Sequence, residues 1–180
     1  MRLAVAMLLA ATGGTPAPAQ VPDASAPPAV TPGASGYDPA LLDACLTLRG
    51  PTQDRSGCIG LAAAVCLGDE AVVEPARASD CRQREAEQWA ARLEAALTLL
   101  RESAALSDSA DGAAAGSGRA AALESAHSTW LAWREAECGW RHRLAGGAGG
   151  GDIAALECRL RETGLRALAL ERMRAEGEGP

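Results

Sequence analysis

A chain of 180 residues is enough for one domain. Its 17 basic residues are all arginine and stand against 23 acidic ones, a net charge of −6. That balance argues against nucleic acid and anionic membrane surfaces, which need a basic face, and leans weakly towards a basic partner.

In chain order, the start reads as an export leader over residues 1–19. Arg2 is the charged end, Leu3 to Ala11 an apolar run of nine residues, and Ala17-Pro18-Ala19 a small-x-small cleavage site before Gln20. The run is too short to span a bilayer, and no later stretch approaches the roughly 20 apolar residues a span needs. Residues 20–37 are rich in Pro, Ala and Ser and bury too little to offset the entropy of ordering them, so they read as a linker. No Cys lies near the cleavage site to carry a lipid anchor. The expected location is periplasmic or secreted, with one folded domain over residues 38–176.

Asp38-Pro39 predicts a helix start, with Asp as cap and Pro at the first helical position, running to about Leu48 before Gly50-Pro51. Ser56 is expected to cap a second short helix, Cys58 to Leu67, that Gly68 stops. Asp80, with Gln83 three residues on as in a capping box, is expected to open a long helix to about Ala105. Its apolar face carries Trp89, Leu93, Leu97 and Leu100. A Gly/Ala/Ser/Asp-rich connection follows, Ser107 to Gly118. A second long helix, Arg119 to Leu144, carries Leu123, Ala126, Trp130, Trp133, Trp140 and Leu144 in a stripe of about 100°. In a chain without Phe, those tryptophans are expected to be core, Trp140 being the one nearest solvent. After a glycine-rich turn, Ala145 to Gly151, Asp152 is expected to cap a third long helix to about Ala175. No strand-like alternation appears. The predicted fold is therefore all-α, a small disulfide-stapled bundle of three long helices preceded by two short ones, with an antiparallel hairpin at the C-terminus.

Six cysteines behind an export signal read as three disulfides. Cys138 lies six residues before Leu144 and Cys158 six after Asp152, so in an antiparallel hairpin both sit about 9 Å from the turn and can bond. Cys45 with Cys58 and Cys66 with Cys81 bracket successive loops and are favoured as pairs; the nested pairing Cys45–Cys66 with Cys58–Cys81 stays open.

The segment from Leu123 to Cys138 resembles the hallmark of the LprI-like family of lysozyme inhibitors: a Gln position, a Trp, an aromatic-Arg-acidic step and a Cys on one helix. Here these are His127, Trp130, Trp133-Arg134-Glu135 and Cys138. Cys158, Thr163 and Arg166 stand at the spacing of the family's partner helix, and Cys81, Glu85, Trp89 and Leu93 resemble its preceding one. The chain departs from the pattern where His127 replaces the usual Gln, Trp133 the common Tyr, and Ala95-Ala96-Leu97 an Asn-x-x-Tyr step. The resemblance implies an exported, non-catalytic binding protein without a cofactor, and a lysozyme or other basic cell-wall hydrolase as partner.

The residues themselves supply no catalytic set. His127 and His142 are fifteen residues apart on one predicted helix, about 22 Å, too far to share a metal. There is no Cys-x-x-Cys motif and no nucleophile elbow, and the Gly146–Gly151 run lacks the Lys-Ser/Thr ending of a phosphate loop. Glu137 projects into the Trp stripe and is expected to pair within its helix, with Arg134 or Arg141. Candidate binding residues are Trp140, Asp152, Glu137 and Arg134, with the Ala145–Asp152 turn as the element that enters a cleft. Two other readings are a structural or envelope-stress accessory without lysozyme contact, and a carrier with an apolar cavity lined by Trp130, Trp133 and Leu97.

Overall fold

A computed structural model describes residues 36–177, save 52, 69–73, 115 and 148. The predicted leader and nearly all of the linker lie outside the described residues. Among the described residues there are five α-helices and one 3-10 turn, and no strand: α1 (Ala40–Arg49), a turn at Ser56–Cys58, α2 (Leu61–Leu67), α3 (Pro75–Asp111), α4 (Arg119–Leu144) and α5 (Gly150–Gly177). Three long helices follow two short ones, as predicted. Helix α3 is the spine: α5 lies along it, α2 covers its first half, and α4 packs on α5 with a smaller contact to α3.

Several helix starts differ from expectation, each for a local reason. Helix α3 begins at Pro75, where Glu74 accepts the Ala76 N–H and proline needs no donor of its own. Asp80 is thus inside the helix, in an i,i+4 pair with Arg84. The same helix continues to Asp111, six residues beyond the expected end, and closes on Gly112 at φ 64°. Near that end the Asp108 carboxylate accepts the backbone N–H groups of Ala120 (3.0 Å) and Arg119 (2.7 Å). Those bonds hold its pKa below the usual Asp value, and they cap α4 from another helix. Ser56 opens only a single 3-10 turn; the chain then extends at Ile59 and reverses at Gly60, φ 89°, before α2 starts.

What caps α2 is Glu85. Its carboxyl group, fully buried, accepts the N–H of Gly60 (2.6 Å), the N–H of Ala63 (2.7 Å) and the Trp89 indole N–H (3.1 Å). Around it lies the core, with Leu42, Leu46, Trp89, Leu97, Leu168 and Leu170 among its members. Tyr37, the last residue of the expected linker, also belongs to the core, its hydroxyl donating to Gln88 Oε1. Gly164 allows α5 to approach the extended link, since a Cβ there would lie 2.8 Å from Ile59 Cγ1.

The disulfides join Cys45 to Cys58, Cys66 to Cys81 and Cys138 to Cys158. The first two are the favoured pairs rather than the nested alternative, and the third staples the α4–α5 hairpin at the level expected from the turn.

Candidate functional site

The α4–α5 hairpin carries the candidate residues, on two different surfaces. Along the seam between the helices, the Trp130 ring receives the guanidinium of Arg134 at 5.0 Å and that of Arg166, from α5, at 5.7 Å. His127 stacks on it at a centroid distance of 5.7 Å. Arg134 Nη1 donates to Thr163 Oγ1 across the helices (3.1 Å), and its other nitrogens donate to Glu135 Oε1. Glu135 uses its second oxygen to accept from Arg159 of α5. With Cys138–Cys158 one turn further on, the hallmark residues form one latch that locks α4 to α5.

Arg134 thus binds within the hairpin and does not pair with Glu137. Glu137 is held by Arg141 in an i,i+4 pair at 2.9 Å, the intrahelical pairing expected of it. Asp152 lies in the first turn of α5 and not at its cap. Its carboxylate accepts the Gly149 N–H from behind and meets His142 Nε2 at 3.1 Å, while its side chain stays 68 % exposed. Trp140 stands apart from Asp152 on the flank of α4, 54 % exposed.

The tryptophan stripe is not core. Only Trp130 and Leu123 lean on it; Trp133 is 48 % and Leu144 66 % exposed, and Ala126 is exposed as well. The reason is the disulfide. At 100° per residue Cys138 points about 140° away from Trp133 and about 160° from Trp140. Once Cys138 is turned inwards, both rings must face out. The apolar-cavity reading fails on the same geometry, because Leu97 is fully buried while Trp133 faces solvent. A groove of about 860 Å³ lies elsewhere, between the 51–56 link and the end of α5. Within its lining Arg55 pairs with Glu171 at 3.1 Å, and Arg92, outside the lining, binds the same carboxylate at 2.8 Å.

His127 is one of the two buried residues of α4, and its Nδ1 has no hydrogen-bond partner among the described residues. Burial pushes its pKa below the ordinary 6.5, and the positive charges of Arg166 and Arg101 push the same way against Glu124 and Glu94. The unfolded chain therefore binds a proton that the folded one refuses. Stability is full above pH 6.5 and falls as the pH drops through 6.5 towards the depressed native value. Replacing His127 by Gln removes this term. Thermal unfolding between pH 7.5 and 5 is expected to show a smaller drop in Tm for His127→Gln than for the parent chain; equal drops would contradict the assignment.

The fold and the latch define a class: an all-helical, disulfide-stapled protein whose C-terminal hairpin is locked by an Arg–Trp–Arg cluster. Residues 68–170, more than half of the chain, match the model of the family described as lysozyme inhibitor LprI, and the chain belongs to that family. No curated protein and no solved structure matches it.

Proposed function

We propose that this protein is an exported, non-catalytic binding protein of the lysozyme-inhibitor type, with a lysozyme or other basic cell-wall hydrolase as its partner. The observation that carries the reading is the match of residues 68–170 to the LprI family. Three disulfides and no free cysteine among the described residues suit an oxidising compartment such as the periplasm or the medium. A net charge of −6 favours encounter with a basic enzyme.

The contact proposed is the Ala145–Asp152 turn. It projects beyond the Cys138–Cys158 bond, and the Asp152 carboxylate at its base is exposed and oriented by the Gly149 N–H. A rigid stem carrying a small-residue tip with one acceptor can enter a cleft that a bulkier loop would not. Titrating the oxidised protein against several lysozymes in a cell-lysis assay tests this. Inhibition is expected, and Asp152→Ala should weaken it about tenfold or more, the loss of one charge-assisted hydrogen bond. No inhibition at tens of micromolar would overturn the reading and leave an envelope accessory role, which capture of a partner other than a hydrolase would support.

A further inference from the structure

Helix α4 is fastened to the bundle by two unlike means. Its second half is tied covalently, since Cys138 is bonded to Cys158 of α5. Its first half, residues 119–134, turns Leu123, His127, Trp130 and Arg134 inwards, within about 60° of each other at 100° per residue. Of these only His127 is buried, at 9 % exposure, and the others are half-buried. A segment whose one buried side chain is a histidine has little apolar anchorage, and such segments open before the core does. The link from α3 carries Gly112, Gly116 and Gly118, so it can follow a movement of this half.

His127 sits where the three long helices meet. Arg101 and Glu94 face it from α3, Arg166 from α5, and Glu124 from α4 itself. The Trp130 ring that stacks on it also carries Arg134 and Arg166. Neither His127 Nδ1 nor Arg166 Nε has a hydrogen-bond partner among the described residues. A neutral imidazole fits this seam. A protonated one must donate from both nitrogens, and its Nδ1 would find no acceptor. The two nearby acids are already engaged, since Glu94 and Glu124 both bind Arg101. The remaining fasteners of this half do not change charge in the same range. Asp108 is held below the usual carboxylate range by the N–H groups of Ala120 and Arg119, and Glu124 by Arg101.

We propose that the first half of α4 is an acid-released strap: protonation of His127 lifts it off α3 and α5, while the Cys138–Cys158 bond holds the second half and the turn in place. The release is local, which a fall in overall stability does not by itself require. The Ala145–Asp152 turn lies beyond the bond, so the strap opens without disturbing the contact proposed above and needs no partner to operate.

Amide hydrogen exchange of the oxidised protein at about pH 7.5 and about pH 5, converted to protection factors, tests it. Protection over residues 119–134 is expected to fall about fivefold or more on acidification, below a ceiling of about 30-fold set by the ordinary histidine pKa. Protection in the core-facing parts of α3 and α5 should stay within about twofold. His127→Gln, neutral throughout, should abolish the fall, and His142→Gln should keep it. Uniform loss in all three long helices overturns the proposal, and so does unchanged protection over residues 119–134. Both outcomes are read from the parent chain and stand whether or not the variants fold. A fall that persists in His127→Gln also overturns it.

Discussion

Glu85→Ala is expected to destabilise the fold by about 3–5 kcal/mol, among the largest losses any single substitution here should cause. Three donors converge on that buried carboxyl group: the N–H groups of Gly60 and Ala63 at the start of α2, and the indole of Trp89. Alanine leaves all three without this partner, those of Ala63 and Trp89 closed off from water, and each orphaned buried donor costs about 1–3 kcal/mol. The removed side chain also leaves a void beside Trp89, which adds to the loss. Glu85→Gln keeps the volume and one acceptor oxygen, but its amide group then points a donor at a donor, so an intermediate loss is expected. Urea unfolding of the three proteins measures the order parent, Gln, Ala. A loss below about 1 kcal/mol for Glu85→Ala would show that the group is not the cap of α2.

Removing the hairpin disulfide is the second large effect. Replacing Cys138 and Cys158 by alanine opens a loop of 20 residues and should cost about 3 kcal/mol on chain entropy. The loss should also be local. Among the described residues of α4 only His127 and Cys138 are buried, so the helix has little apolar anchorage of its own and relies on the seam around Trp130. By contrast, α3 and α5 share the main core. Hydrogen exchange of the double variant is expected to show loss of amide protection along α4 first, with α3 and α5 still protected. Uniform loosening of all three helices would instead mean that the bridge supports the whole core.

Much of the fold was legible because its strongest signals are local. Cysteine spacing measured from a glycine turn located the α4–α5 bridge, and the same logic picked the two earlier pairs. Helix starts were less legible, because the groups that cap them come from elsewhere in the chain. Asp80 has the composition of a cap, but Pro75 and Glu74 begin the helix earlier; the true caps of α2 and α4 are Glu85 and Asp108, each from α3. Glu85 carried a readable sign. It shares an i,i+4 line with Cys81, Trp89 and Leu93, so if that line is core, an acid on it must be buried and satisfied. Hydrophobicity points the tryptophans inwards, but the angle of about 140° between Cys138 and Trp133 forbids both from facing the same neighbour. Of the candidate site residues, Arg134 lies in the seam, Glu137 in an intrahelical pair, and Asp152 and Trp140 in solvent on separate surfaces.

The bridges have one more implication. The six cysteines pair in chain order, first with second, third with fourth and fifth with sixth, at separations of 13, 15 and 20 residues, with no crossing or nesting. A polypeptide threading out of a pore presents its thiols in that same order. Under the export proposed above, successive oxidation of the two sulfurs that have most recently emerged would reach the native set without reshuffling of bonds.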